Sequence, residues 1–169
     1  DEFETREDRL DNPKGELYPD FLINEVMPLV NENFRTKQGA QHTALGGSSY
    51  GALIALFTFT HHPDVFGSLL LESPSLYVAN QQVLKESEKI TRWPDYVYLG
   101  IGTAEGETAE IQKMAVDDAA KLASNINRNS GATKLKYFVD EGGTHDFDFF
   151  AIRFPLALES LYSKGKSDF

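Results

Sequence analysis

The sequence predicts an α/β fold, a three-layer α/β/α sandwich built on a mainly parallel sheet. Three observations carry this. Four short apolar runs, "QHTALGG", "FGSLLLESPS", "DYVYLGIGT" and "KLKYFVDEGG", have the length and composition of buried strands. A helix-length segment follows each run, and strands that alternate with helices build parallel sheets covered on both faces. The chain has 169 residues, enough for one domain, and its 12 Phe and 7 Tyr supply large side chains for a core.

The elements follow in order. Residues 1–16 are charged, with Asn12, Pro13 and Gly15 as breakers, and read as a loop. Over 18–34, Phe21, Leu22, Val26, Leu29, Val30 and Phe34 recur at helical spacing, with a kink or break expected at Pro28. After the first strand, "YGALIALFTFTHH" is apolar on nearly every side, so a buried helix is expected. "PDV" turns the chain into the second strand, which Pro74 stops. A polar helix is expected over 80–91. The third strand leads to 107–128, where Ile111, Met114, Ala115, Leu122 and Ile126 mark an amphipathic helix that "NSG" ends. After the fourth strand, Phe147, Phe150, Phe154, Leu158 and Leu161 share a helical face, with Pro155 expected to kink or restart that helix.

Composition removes several function classes. A net charge of −10 repels phosphate backbones and anionic lipid, so neither nucleic acid nor a membrane surface is expected as a partner. The chain has no cysteine, which rules out disulfides, thiolate catalysis and Cys-ligated zinc. No apolar segment approaches the roughly 18 to 20 residues of a membrane span. "DEFETREDRL" is unlike a signal peptide, so a leader is either lacking or upstream of this numbering, and the compartment stays open. "THDFD" holds a His and two Asp, with no second pair at ligand spacing, so no metal is expected. There is no phosphate-binding loop motif and no dinucleotide fingerprint, so no cofactor is expected.

The chemistry-bearing residues sit where such sheets place them, at the carboxyl ends of strands. Those ends read "GGSSYG", "LESPS", "GTAEGE" and "DEGGTHDF". Gly47-Ser48-Ser49-Tyr50-Gly51 fits G-x-S-x-G with Ser49 at its centre; Ser48 would need a glycine where Tyr50 stands. That spacing belongs to a nucleophile on a strained strand-to-helix turn, where side chains two residues before and after would collide. The turn leaves the Tyr50 backbone N–H facing a developing oxyanion, with the positive end of the next helix behind it.

His145 is the expected base, because it follows the last strand and a Gly-Gly pair that lets the chain turn sharply into the site. His42 lies at the wrong end of its strand, and His61 and His62 close a helix, where they interact with its last carbonyls. The acid that orients the imidazole has three candidates: Glu105 first, just past the third strand, then Glu107 and Glu72. Tyr50, Tyr77, Phe147 and Trp93 are candidates to line a substrate pocket, against core packing as the ordinary fate of aromatics. Serine, acid and histidine occur in the chain order of the α/β-hydrolase arrangement.

Taken together, these segments resemble the putative-esterase family of α/β-hydrolases, which includes siderophore, feruloyl and acetylxylan esterases, S-formylglutathione hydrolase and the mycolyltransferases. "YPDFLINEVMPLVNENFRT" resembles the family's helix ahead of the nucleophile strand. "LGGSSYGALIALFTFTHHPDVFGSLLLESPSL" resembles its elbow, helix and next strand. "YLGIGTAEG" is similar to the acid-bearing strand end, and "DEGGTHDFDFFAIRFPLAL" to the histidine segment. The resemblance implies Ser49, Glu105 and His145 as the triad of a serine carboxylic-ester hydrolase that needs no cofactor and acts on a small-molecule ester.

It also implies that residues 1–169, read as a single domain, resemble the C-terminal two-thirds of the full fold. "DEFETREDRLDNP" looks like the loop that follows the first strands, and the second oxyanion donor would come from that upstream part. Without it, the strand before the elbow would be an exposed edge and self-association would be expected. An acyltransferase uses the same apparatus. The rival from another class is a catalytically incomplete α/β fragment or interaction domain that keeps the elbow as architecture.

Overall fold

The computed structural model describes residues 14–128 and 131–162. Backbone packing divides the chain into two compact units, 1–38 and 39–169. Residues 1–13, which contain most of the loop expected at the start, and Asn129 and Ser130 of "NSG" lie outside the described residues.

In the first unit a 3-10 turn, Gly15–Leu17, leads into α1 (Tyr18–Phe21), a π-turn over Leu22–Val26, and α2 (Met27–Asn33). The expected interruption at Pro28 appears one turn earlier, as the π-turn. The Met27 N–H donates to the Leu22 carbonyl, five residues back. Proline has no N–H to offer the carbonyl of residue 24, and its ring crowds that carbonyl, so the preceding turn widens.

The second unit carries the sheet. A 3-10 turn, Ala40–His42, precedes β1 (Ala44–Ser48). There follow α3 (Tyr50–His61), β2 (Ser68–Glu72), α4 (Val78–Ser87), β3 (Tyr96–Gly102), α5 (Ala109–Arg128), β4 (Lys134–Asp140) and α6 (Phe147–Tyr162). The strands lie side by side in sequence order, all parallel. Ser48 is level with Glu72, and Glu72 with Gly100, so the carboxyl ends of the first three strands share one edge. β3 and β4 run on together to Gly102 and Asp140.

Alternation along the strands separates two faces. Leu70, Tyr96, Tyr98 and Phe138 pack with Ala157 and Leu161 of α6. Leu69, Leu71, Val97, Leu99 and Ile101 point the other way and are fully buried, in the layer that includes α3 and α5. Each of these side chains contributes about 1.5–3 kcal/mol by leaving water, and the result is the three-layer α/β sandwich that the alternating pattern predicts. β1 is an edge strand among the described residues. Between it and α6 lies an apolar groove of about 670 Å³ lined by Gly46, Phe147, Phe154 and Leu158 among others.

Several local expectations are adjusted. The polar helix α4 starts at Val78 rather than residue 80, ends at Ser87, and enters through three left-handed residues, Ala79, Asn80 and Gln81. Its one fully buried apolar anchor is Leu84. α5 is capped by Thr108, whose Oγ1 accepts the Ile111 N–H at 3.3 Å. Its buried apolar side chains are Ala119, Leu122, Ala123 and Ile126, while Ile111 and Met114 stay exposed. Pro155 neither ends nor restarts α6. The proline forfeits one backbone bond, to the Ala151 carbonyl, and burial of Ala157 and Leu161 against Tyr98 holds the helix through it. Trp93 is no pocket residue: it is 4% exposed and stacks on Phe59 of α3, with ring centroids 5.7 Å apart.

Candidate active site

The link from β1 to α3 is one residue long, and that residue is Ser49. Its backbone has φ 57° and ψ −122°, a region that costs a non-glycine residue about 1–3 kcal/mol. Surrounding bonds hold it there: its N–H extends the sheet ladder to the Glu72 carbonyl at 2.9 Å, and its carbonyl accepts the Leu53 N–H at 3.1 Å. The sharp turn brings Gly47 against Gly51. A Cβ on Gly47 would lie 2.6 Å from the Gly51 carbonyl carbon, whereas a Cβ on Gly51 would meet nothing within 4 Å. The expected collision is therefore one-sided. Gly47→Ala is expected to destabilise the fold by about 1–3 kcal/mol through overpacking. Gly51→Ala, at a helical position with open space, should stabilise by about 0.5–1 kcal/mol. Urea unfolding of both variants checks the opposite signs.

Three strand ends converge on this turn. The loop after β3 carries Glu105, whose side chain is 1% exposed. The loop after β4 turns at Gly142, φ +76°, and carries His145. The two loops are tied together: the Ala104 N–H donates to the Gly143 carbonyl at 2.9 Å, and the Gly142 N–H to Thr103 Oγ1 at 2.8 Å. His145 Nδ1 stands 2.9 Å from Glu105 Oε2, and His145 Nε2 stands 2.9 Å from Ser49 Oγ. A carboxylate only accepts, so the ring hydrogen on Nδ1 points to Glu105, and Nε2 is left to accept the Ser49 hydroxyl hydrogen. Phe150 meets the imidazole edge-on, with centroids 5.1 Å apart.

Glu105 is anchored through its other oxygen. Oε1 accepts the Gly102 N–H at 2.6 Å, the Ser73 hydroxyl at 2.5 Å and Arg153 Nη2 at 3.2 Å. Glu72 is also buried, but it faces Ser73 at 3.0 Å and Arg153 at 2.9 Å, and burial pushes its carboxyl above the usual range. Glu107 is exposed in the loop before α5. Of the three candidate acids, the one in contact with the imidazole is Glu105.

The remaining residues sort by position. Ser48 ends β1 and borders the apolar groove. Ser75 Oγ lies 3.3 Å from Ser49 Oγ. Tyr50 opens α3, so its N–H has no partner within the helix. Its exposed ring lies near that of Tyr77, with hydroxyls 3.3 Å apart. A cavity of about 50 Å³ beside His145 is bounded by Ser75, Tyr77 and Met114 among others. Phe147 is exposed and packs edge-on against Phe150. His42 sits ahead of β1, at the opposite end of that strand from the elbow. His61 Nδ1 lies 2.9 Å from the Phe57 carbonyl at the end of α3. In "THDFD", Asp146 caps α6 by accepting the N–H groups of Asp148 and Phe149, both at 3.1 Å. The bond from Thr144 and these backbone donors lower its pKa.

Sequence reasoning missed Ser73, Ser75 and Arg153. For Arg153 a signal exists: it is a lone charge within "FFAIRFPLAL", and an arginine in an apolar helix is buried only with partners.

Comparison with known proteins agrees with this geometry in fold and family. The chain is 27% identical over 156 residues to the uncharacterized protein YbbA of Bacillus subtilis, a match covering 90% of this chain and 62% of that protein. The chain thus spans under two-thirds of that relative's length. Among solved structures, the enterobactin esterase FES from Shigella flexneri superposes with a TM-score of 0.72 at 19% identity, covering 94% of this chain and 42% of that one. A ferulic acid esterase superposes with a TM-score of 0.65 at 16% identity, covering 85% and 60%. The family model described as "Putative esterase" matches residues 4–161. Ser49, Glu105 and His145, brought together at the strand ends, thus sit in a chain that belongs to the putative esterase family.

Proposed function

We propose that this chain carries the reacting groups of a serine carboxylic-ester hydrolase. The observation that supports this best is the imidazole of His145 bridging Ser49 Oγ and Glu105 Oε2, at 2.9 Å on each side. Ser49 Oγ attacks the ester carbonyl carbon as His145 Nε2 takes its proton. The carbonyl oxygen becomes an oxyanion facing the Tyr50 N–H and the positive end of α3. Glu105 holds the ring in the correct tautomer and stabilises the imidazolium. Collapse breaks the ester bond, and His145 returns the proton to the leaving alkoxide. Water, deprotonated by the same imidazole, then attacks the acyl-enzyme and releases the acid and Ser49.

The elbow's neighbours bear on the substrate. The exposed rings of Tyr50 and Tyr77, with the cavity beside His145, offer an apolar and hydroxyl-bearing approach to Ser49.

Incubation with a fluorophosphonate, followed by peptide mass spectrometry, tests the assignment. The adduct is expected on Ser49 and not on Ser48, Ser73 or Ser75. A folded protein that gives no adduct on Ser49 would count decisively against serine catalysis.

A further inference from the structure

Arg153 lies in the middle of α6, yet its side chain is 2% exposed. A guanidinium removed from water costs several kcal/mol unless its charge and donors are met. Here the partners come from three strand ends. Nη2 lies 2.9 Å from Oε1 of Glu72, the last residue of β2, 3.1 Å from Ser73 Oγ and 3.2 Å from Glu105 Oε1 after β3. Nη1 lies 3.1 Å from Asp140 Oδ2 at the end of β4. The Phe150 ring covers the guanidinium at 5.7 Å. His145 lies on the far side of Glu105.

The two oxygens of Glu105 are treated unequally. Oε1 takes three donors, from Gly102, Ser73 and Arg153, while Oε2 is presented to His145. We propose that Arg153 is a positioning residue: its guanidinium clamps Glu105 Oε1, turns Oε2 toward His145 Nδ1, and supplies the positive charge that so deeply buried a carboxylate requires. The inference rests on the serine-esterase reading. Glu72 shares the same guanidinium nitrogen at 2.9 Å, so one buried cation serves Glu72, Glu105 and Asp140 together. The fork is needed because one end spans Glu72, Ser73 and Glu105 while the other reaches Asp140, a geometry that a single ammonium does not reproduce.

The test uses Arg153→Met and Arg153→Lys in the full chain. Folding is checked by circular dichroism, and kcat, KM and the pH dependence of kcat/KM are measured on p-nitrophenyl acetate. In Arg153→Met, misplacement of Glu105 should lower kcat about 100-fold with KM nearly unchanged. The acidic limb of kcat/KM should move to higher pH, because removing a cation beside a carboxylate disfavours its charged form. Arg153→Lys keeps the charge and should return the limb to its wild-type position, with kcat still down about tenfold for want of the fork.

A folded Arg153→Met with the wild-type limb, losing activity equally at every pH, overturns the proposal. If Arg153→Met does not fold, Arg153→Lys decides: a wild-type kcat there overturns it. The low-field proton resonance of His145 Nδ1 separates this inference from the reading beneath it. A wild-type protein that shows the resonance but turns over no ester sinks the esterase reading. The Arg153 arrangement then stands or falls on whether the substituted, folded protein loses that resonance.

Discussion

Ser49→Ala is expected to abolish ester cleavage, lowering kcat on p-nitrophenyl acetate by about 10⁶-fold, the scale seen when a triad nucleophile is removed. The neighbouring Ser48→Ala should retain a substantial part of the activity. The contrast follows from backbone geometry. Ser48 is the last residue of β1, level with Glu72 in the sheet, and borders the groove beside the strand. Ser49 stands in the left-handed turn with its hydroxyl 2.9 Å from His145 Nε2. Steady-state kinetics on the two variants, with urea melts to show that both are folded, separates a nucleophile from a structural neighbour. Equal losses from both would undermine the elbow assignment.

Glu105→Gln is the second large effect. The amide keeps the volume and one acceptor but loses the charge, and its NH₂ group opposes the Nδ1 hydrogen of His145, so the ring is held in the wrong tautomer. The expected loss in kcat is about 10⁴-fold, with KM little changed, equivalent to about 5 kcal/mol of transition-state stabilisation. Glu107→Gln should stay within about twofold of wild type, since exposed side chains away from the chemistry matter little; Glu107 is exposed, whereas Glu105 meets the imidazole at 2.9 Å. Measuring kcat and KM for both variants decides which carboxylate serves the imidazole. Full activity in Glu105→Gln would remove it from the mechanism.

The two substitutions share one structural cause. Parallel strands in sequential order bring the ends of β1, β2 and β3 to one edge. Residues far apart in the chain therefore meet: 96 residues separate Ser49 from His145, and 40 separate His145 from Glu105. Each contributing loop is short and pinned, by Gly47 against Gly51 at the elbow and by Ala104 and Gly142 bonding across the other two loops. Such pinning holds Ser49, His145 and Glu105 at hydrogen-bond distance, where orientation would contribute most to the proposed reaction.

By itself the sequence determined what depends on local order. Strand-length apolar runs alternating with helical periodicity determined the layered parallel sheet, because pattern and period act over a few residues. Glycine spacing pointed to Ser49 as the turn residue through the G-x-S-x-G pattern, although the structure shows close approach only at Gly47 and open space at Gly51. Chain order placed serine, carboxylates and histidine at successive strand ends. The sequence left three carboxylates open, since all three follow strand ends and nothing local distinguishes them.

Tertiary structure decided among those carboxylates by register and burial, turning Glu105 toward His145 and Glu72 toward Arg153. At Pro28 the missing N–H widened the turn ahead of the proline into a π-turn, whereas α6 continues through Pro155, where burial of Ala157 and Leu161 outweighs the lost backbone bond. Tertiary packing sent Trp93 to the core against Phe59 and left Tyr50 and Tyr77 exposed near the elbow. It also buried Arg153 among Asp140, Glu105, Ser73 and Glu72, which lie 13 to 81 residues away in sequence. An ion pair of that kind has no periodicity and no local spacing; it exists only once the strands are in register, which is why the structure shows it and the sequence does not.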